Sequence, residues 1–325
     1  MNSDGCNASV TRRREFLAQL SRAVTGSALA LGTASWAQEC PAAATDTAGP
    51  LPTIRLGDHR VTRLIAGSNP INGYSYLGPL MDRHMRDYFT PERIVEFLTN
   101  CERAGIDTHQ FGGPGPMAAI IRTLRERGSK MKFLCLHSSE PDNAPVEQVV
   151  REHDLIALVH HGGATDRLFQ QGKSQQVHDF VKRVHDAGIL AGVSAHNPAC
   201  IQRIADEGWE VDLFMTCFYH LTRTPEDLAK MPEVATLEVS YPFFASDPEA
   251  MTKVVRQVRQ PCLGFKILAA GRSCHDPQSV RQAFQFAFEH IKPIDGVIVG
   301  MYPRYHDQVS ENAALARQLA APPHT

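Results

Sequence analysis

Short apolar segments alternate with amphipathic segments along most of the chain. The apolar segments are almost continuously hydrophobic, which is typical of strands in a parallel sheet that is covered on both faces. The pattern predicts eight strands, over Val61–Gly67, Asp107–Phe111, Met131–His137, Leu155–His161, Ile189–His196, Val211–His220, Cys262–Leu268 and Gly296–Met301.

The amphipathic segments predict a helix after each strand. Two of these helices have a clear start, because Thr90 precedes Pro91 and Asp276 precedes Pro277, which places a capping residue before a proline at the first helical position. The predicted helices are Pro91–Ala104, Met117–Arg127, Pro145–His153, Gln175–Ala187, Ala199–Glu207, Pro248–Val258, Pro277–His290 and Gln308–Leu319.

Eight alternating strand and helix units predict an α/β protein. Within about 270 residues, eight units favour a single-domain (β/α)8 TIM barrel over residues 53–320. An open, doubly wound sheet is less favoured, because no G-x-G-x-x-G motif opens the first unit.

The composition argues against two classes of protein, nucleic-acid-binding proteins and integral membrane proteins. The 325-residue chain has a formal net charge of −2, with 33 Lys and Arg against 35 Asp and Glu. A nucleic-acid-binding protein would show a basic face, so we expect no nucleic-acid partner. No apolar run reaches the roughly 18 residues that a membrane-spanning helix requires, so we expect a protein that is not integral to a membrane.

The N-terminus carries the features of an export signal. Arg13 and Arg14 lie just before Phe16 and Leu17, a mildly apolar stretch follows over residues 23–32, and Ser35 and Ala37 provide small residues for cleavage. We therefore expect a twin-arginine signal peptide over residues 1–37, a Pro-containing linker over 38–52, the twin-arginine export machinery as a partner, and a periplasmic or secreted location. Proteins that use this route often fold around a cofactor before export.

Histidines end four consecutive predicted strands. The active site of such a barrel is built at the carboxyl ends of its strands, so side chains there should converge. Imidazole binds zinc, iron, manganese or nickel and is also the general base whose pKa is nearest neutrality. The four histidines, His137, His160, His196 and His220, thus predict a divalent metal site or an acid–base site. Because side chains alternate along a strand, only one of His160 and His161 can point inward. Glu238 is the one candidate carboxylate that could reach over them, and a solvated position in a loop is the favoured interpretation of it.

Lys266 is a single charge within the apolar segment Gly264–Leu268. Burial of an ammonium group is costly unless it is paired or deprotonated, so this position indicates a role. In decreasing order of preference, Lys266 forms a salt bridge with a neighbour, holds an anionic group of a substrate, or forms a Schiff base.

Several short motifs, in order, resemble the aldo-keto reductase family. They span nearly all of residues 53–320 and comprise Arg55-Leu56-Gly57, Val61–Gly67, Gly105–Thr108, Leu158–His160, Gly192–Ser194, Tyr219-His220, Leu268–Gly271 and Glu311-Asn312. The resemblance implies a (β/α)8 barrel in which Asp107 and His160 are catalytic, with His160 rather than His161 pointing inward. It also implies that Ser194, Glu311 and Asn312 bind NAD(P), and that the ring of Tyr219 stacks on the cofactor.

The chain departs from that family at decisive positions. Gln110 and Phe111 stand where the family has its catalytic Tyr, and His137 stands where it has Lys. Ala195 and Thr216 replace an Asn and a Gln that hold the nicotinamide. Loss of the proton donor lowers the catalytic rate by a factor of about 10²–10⁴, so we expect altered chemistry. Loss of the Asn and the Gln predicts weak or absent nucleotide binding.

Three functions follow from these features. The first is metal-assisted lyase, isomerase or hydrolase chemistry on a small polar, possibly sugar-derived, substrate. His137, His160, His196 and His220 would bind the metal, and Asp107, His160, Lys266 and Tyr219 would be catalytic. The alternative is an NAD(P)-dependent oxidoreductase with a substituted set of catalytic residues, and the third function is that of a non-catalytic binding protein.

Overall fold

The computed structural model describes residues 49–113, 116–138, 140, 143–230 and 241–320. The predicted signal peptide, most of the linker and Glu238 lie outside the described residues. In the part of the chain that is described, no helix has the length and apolar character needed to cross a membrane.

A two-stranded antiparallel hairpin, β1 (Thr53–Leu56) and β2 (His59–Thr62), precedes the barrel. The eight barrel strands are β3 (Leu64–Gly67), β4 (Thr108–Gly112), β5 (Lys132–His137), β6 (Ala157–His160), β7 (Leu190–Ala195), β8 (Leu213–Cys217), β9 (Cys262–Phe265) and β10 (Gly296–Gly300). All neighbouring barrel strands are parallel, and β10 pairs with β3 to close the barrel. The predicted (β/α)8 fold is confirmed.

The prediction of one strand over Val61–Gly67 is wrong, because Arg63 separates β2 from β3. The buried Arg63 guanidinium donates hydrogen bonds to the carbonyl oxygens of Asp295 (2.8 Å) and Lys292 (3.1 Å). The first segment therefore belongs to the hairpin, whose apolar side chains Ile54, Leu56 and Val61 pack among the side chains that fill the barrel. The hairpin closes the amino-terminal end of the barrel.

The eight predicted helices are present with small changes in their bounds, together with three that the sequence pattern does not predict. The described helices are α1 (Pro79–Tyr88), α2 (Pro91–Arg103), α3 (Met117–Glu126), α4 (Val146–His153), α5 (Gly162–Gln170), α6 (Gln175–Asp186), α7 (Pro198–Asp206), α8 (Pro225–Leu228), α9 (Asp247–Gln257), α10 (Pro277–His290) and α11 (Gln308–Leu319). The sequence pattern misses α1 and α8 because neither contains a buried residue, and α5 because it begins with two glycines.

The apolar side chains of the strands form two layers. One fills the barrel and includes Leu134, Val159 and Met215, whereas the other lies between strands and helices and includes Phe133, Leu158 and Phe214. Successive residues of each strand belong to alternate layers, as the period of a strand requires. This alternation decides which polar side chains reach the mouth of the barrel.

Candidate active site

His160 lies outside the barrel wall. On β6, Ala157 and Val159 belong to the inner layer, so His160 is on the outer side with Leu158. Its ring is fully buried 4.9 Å from the ring of Phe180 on α6, and its Nδ1 is 2.8 Å from the Thr165 hydroxyl oxygen. Burial lowers the pKa of His160 to about 3. The prediction that His160 rather than His161 points inward is therefore wrong.

His137 has the same orientation on β5, where it is paired with His160 in the strand register. Its Nε2 donates a hydrogen bond to the carbonyl oxygen of Ala144 (2.8 Å), and its ring centroid is 6.3 Å from that of Phe180. The structure therefore does not bring His137 and His160 together with His196 and His220. Over the described ranges, no group of three or more His, Cys, Asp or Glu side chains is arranged to hold a metal ion.

His196 follows β7 on the inner side, two residues after Ser194, and it contacts a carboxylate that is completely buried. The Nδ1 of His196 is 3.0 Å from Oδ2 of Asp166, which is the fifth residue of α5. Asp166 also accepts hydrogen bonds from the backbone N–H of His196 (3.0 Å) and from the hydroxyl of Thr222 (2.9 Å). The side chains of Asp166 and His196 are 0 % and 12 % exposed. The carboxylate thus fixes both the ring and the backbone of His196.

The protonation of this pair follows from its contacts. Burial raises the pKa of Asp166, but the hydrogen bonds from His196 and Thr222 outweigh it, and the pKa lies below its ordinary value. An ionised carboxylate only accepts hydrogen bonds, so Nδ1 of His196 carries the proton. Burial lowers the pKa of His196 despite the opposing effect of Asp166, so the ring is neutral at pH 7. Nε2 is then a proton acceptor at the mouth.

Gly162 allows α5 to begin close to this pair. A Cβ on Gly162 would lie 2.9 Å from the Ser194 hydroxyl oxygen and 3.1 Å from Cε1 of His196. Both distances are shorter than ordinary contacts, so any larger side chain would displace the ring or the helix. The helix that carries Asp166 therefore depends on glycine at its first position.

His161 occupies the mouth position that was expected for His160. Its ring is accessible to solvent, yet enclosure by the walls of the mouth lowers its pKa, and the proximity of His196 and Lys266 lowers it further. His161 therefore shares the mouth with His196 and Lys266.

Lys266 lies just beyond β9, which ends at Phe265 rather than at Leu268 as predicted. The positive φ of Lys266 (+59°) turns the chain there. Its ammonium nitrogen lies 4.5 Å from the ring centroid of Tyr76 and 4.9 Å from that of Phe265, and the His196 ring lies 5.8 Å from the same Phe265 ring. Among the described residues no carboxylate pairs with Lys266, so the predicted salt bridge has no partner within that part of the chain. Its charge is held by aromatic faces.

His220 and Tyr219 follow β8 by two or three residues. The backbone N–H of His220 donates to Oδ2 of Asp247 (3.1 Å), which also pairs with Arg223, and Nε2 of His220 is buried without a partner in the described chain. Tyr219 is 9 % exposed with its ring 4.9 Å from that of Phe243, and burial raises its pKa. One face of Tyr219 is therefore occupied within the protein.

Asp107 lies at the opposite end of the barrel from His160. It directly precedes β4, and its carboxylate accepts hydrogen bonds from Lys132 (2.7 Å), the first residue of β5, and from the backbone of Thr62 (2.9 Å) at the end of β2. Burial raises the pKa of Asp107, but these partners lower it below its ordinary value. Asp107 therefore connects the hairpin to the barrel strands, which is a structural role.

The residues present do not fit a bound nicotinamide nucleotide. Ser194 is on the inner side, but Ala195 lies in the outer layer and carries no amide. Of the other two residues expected to bind NAD(P), Glu311 is paired with His306 (2.9 Å) and Asn312 is 5 % exposed. Ser194 therefore keeps its group, whereas Ala195 lacks the amide, Glu311 has a partner and the ring of Tyr219 packs on Phe243.

Sequence reasoning missed Asp166 and His161. Asp166 depends on α5, whose start at Gly162-Gly163 is typical of a loop, so no helix was expected to carry a carboxylate there. The available signal was a lone acidic residue among small residues just after a predicted strand end.

No protein-family model matches the chain, and no curated protein matches it in sequence. Among solved structures, the chain is similar to Gox0644 in its apo form, with a TM-score of 0.51 and 11 % identity over 83 % of this chain and 94 % of that one. It is also similar to an aldo/keto reductase from Brucella melitensis (TM-score 0.47, 12 % identity, 83 % and 98 % covered). A further similar structure is a truncated 3-deoxy-D-arabino-heptulosonate 7-phosphate synthase from Thermotoga maritima (TM-score 0.45, 15 % identity, 83 % and 90 % covered). At these identities the similarity concerns the fold alone.

Proposed function

We propose that this barrel is an enzyme of the isomerase or lyase class that moves a proton on a small hydroxy-carbonyl substrate, of the kind found in sugar derivatives. The observation that carries the proposal is the Asp166–His196 pair, a buried carboxylate that holds a neutral imidazole at the mouth. An oriented imidazole with a free Nε2 is a general base whose pKa suits work near neutral pH.

His196 and Lys266 divide the reaction between them. Nε2 of His196 takes the proton from the carbon next to the substrate carbonyl, and the C–H electron pair forms the carbon–carbon double bond of an enolate. The ammonium of Lys266 stabilises the negative charge that develops on the carbonyl oxygen. In an isomerisation, the hydroxyl proton of the enolate passes to the former carbonyl oxygen, and His196 returns its proton to the former carbonyl carbon. In an elimination, the enolate electrons re-form the carbonyl and expel a leaving group from the next carbon, and the proton on His196 passes to that group.

The geometry supports this division. His196 and Lys266 both contact the ring of Phe265, so a small substrate can meet both groups, and Lys266 has no carboxylate partner among the described residues to neutralise it. An oriented acid–base group accelerates a reaction by a factor of about 10²–10⁴, and a single electrostatic donor by a factor of about 10²–10³.

Exchange of carbon-bound hydrogen tests the proposal. The full chain is incubated in D2O with a panel of small hydroxy-aldehydes and hydroxy-ketones, and loss of the α-proton signal is followed by NMR. We expect at least one member of the panel to exchange, with a rate that falls at least 100-fold in His196→Gln and Lys266→Met.

The second Asp–His pair of the barrel provides a matched control. His185 and Asp212 are 2.8 Å apart at the other end of the barrel, so His185→Gln should leave the exchange rate unchanged. A rate that survives His196→Gln in folded protein, or one that falls equally in His185→Gln, would contradict the proposal.

Export is a separate part of the proposed function. We propose that the protein acts in the periplasm or outside the cell after twin-arginine export, on the motif around Arg13 and Arg14. N-terminal sequencing of periplasmic material should begin near residue 38. Export that persists in the double Arg13→Lys, Arg14→Lys variant would contradict this route.

A further inference from the structure

The first turn of α5 leaves its backbone donors free. Five of the described α-helices begin with a side chain that accepts a backbone N–H, as Thr90 does before α2 and Asp276 before α10, and α5 is one of the six that do not. No side chain caps α5, and within the described ranges the N–H groups of Gly162, Gly163 and Ala164 have no acceptor. Free N–H groups at the start of a nine-residue helix carry partial positive charge.

A buried hydroxyl without a partner lies against this turn. Ser194 is 1 % exposed, and its hydroxyl oxygen has no hydrogen-bond partner in the part of the chain that is described. The same oxygen lies 2.9 Å from the position that a Cβ on Gly162 would occupy, so it is directed at the first residue of α5. A buried hydroxyl without a partner is costly in a folded protein, and an acceptor from a ligand would satisfy it.

Two imidazole rings lie beside this turn and can donate or accept hydrogen bonds. The His161 ring lies 3.4 Å from the Cβ position of Gly163, and the His196 ring lies 3.1 Å from that of Gly162. The two nearby carboxylates already have cationic or hydrogen-bonding partners: Asp166 is bonded to His196, and Glu140 is paired with Arg167. The ammonium nitrogen of Lys266 lies 4.9 Å from the centroid of the Phe265 ring, which the His196 ring also contacts at 5.8 Å, so one positive charge lies near the mouth histidines.

We propose that the N-terminus of α5, together with the hydroxyl of Ser194, binds the phosphate group of a small phosphorylated substrate. The inference rests on the proposed function, because it places the anionic end of the substrate beside His196. A phosphate offers three oxygens with several acceptor sites each, which match three backbone donors, one hydroxyl and the ring of His161. The substrate class then becomes a phosphorylated hydroxy-carbonyl compound.

Binding of inorganic phosphate to the full chain tests this site without any turnover. We expect saturable binding in isothermal titration calorimetry and a higher Tm with phosphate than with acetate at equal ionic strength. Ser194→Ala removes one hydrogen bond to a charged group and should weaken phosphate binding about tenfold or more. The Tm of phosphate-free Ser194→Ala should equal or exceed that of the parent chain, since an unpartnered hydroxyl is removed.

Ser68 provides the matched control. It is a buried serine at the end of β3, on the opposite side of the barrel from β7, and its hydroxyl already accepts a hydrogen bond from Asn72. Ser68→Ala should leave phosphate binding unchanged. Phosphate binding that fails to saturate, or that is equally strong in Ser194→Ala, would overturn the site. Phosphate binding that depends on Ser194, in a protein that exchanges no substrate proton, would support the site while contradicting the proposed function.

Discussion

His160 and His161 are neighbours in the chain, yet they lie on opposite sides of the barrel wall. The first is fully buried between β6 and α6, with its Nδ1 bonded to Thr165. The second is exposed at the mouth beside the neutral ring of His196 and the ammonium of Lys266. The wall histidines are packing residues: they are His137, His160 and also His109 on β4, which is fully buried with its Nδ1 2.9 Å from the carbonyl oxygen of Ala66. The mouth histidines, His161 and His196, lie where the proposed reaction would place its substrate. A strand end rich in histidine therefore indicates two different environments, and the phase of the strand decides which side chain enters which.

The largest expected difference between the two groups is in acid stability. Burial lowers the pKa of His109 to about 4 and that of His160 to about 3. Below pH 6.5 the unfolded chain binds a proton at each residue while the folded chain does not, so stability is lost as the pH falls. Between pH 7 and pH 5 we expect each residue to lower the free energy of unfolding by about 2 kcal/mol.

Urea unfolding at a series of pH values measures this loss. In His160→Gln, the free energy of unfolding should fall by about 2 kcal/mol less between pH 7 and pH 5 than in the parent chain. The His275 side chain is 71 % exposed, so His275→Gln should leave the pH dependence of the free energy of unfolding unchanged. A slope that is unaltered in His160→Gln would contradict the assignment of His160 to the wall.

Truncation at neutral pH should separate the two neighbours. His160→Ala leaves a cavity beside Phe180 and removes the bond to Thr165, so we expect a loss of about 3 kcal/mol in the free energy of unfolding. His161→Ala should change it by less than about 0.5 kcal/mol, because the ring is exposed. Chemical denaturation at pH 7 measures both, and equal losses would mean that the two rings share one environment.

Asp107 extends the comparison to the opposite end of the barrel. Asp107→Asn weakens the contact with Lys132 and should cost about 1 kcal/mol in the free energy of unfolding, with no change in the exchange rate of the proposed reaction. Lys132→Met is the partner control for stability. A tenfold loss of exchange in folded Asp107→Asn would return Asp107 to the reaction.

The smallest expected effect concerns nucleotides. Because Ala195 lacks an amide and Tyr219 is packed on Phe243, NADPH at micromolar concentrations should produce no saturable change in fluorescence. Saturable binding in this range would favour the oxidoreductase alternative over proton transfer at His196.

The barrel itself could be predicted from the sequence because its strands are continuous apolar runs. Segments such as Met131–His137 and Gly296–Met301 differ from the observed strands by only one residue at one end. The candidate site was harder to predict from the sequence, for two physical reasons. The side on which a terminal residue lies depends on the phase of alternation, which separates His160 from His161, and the partner of His196 lies on a helix that starts with two glycines.

The short hairpin at the amino-terminal end limits where a substrate can enter the barrel and where a product can leave it. Ile54, Leu56 and Val61 pack among the side chains that fill the interior, so side chains close that end, and the mouth beside His196 is the opening for the proposed reaction. A product formed beside His196 must leave through the opening by which the next substrate enters. Product and substrate then exclude one another, and inhibition by product is expected to be competitive.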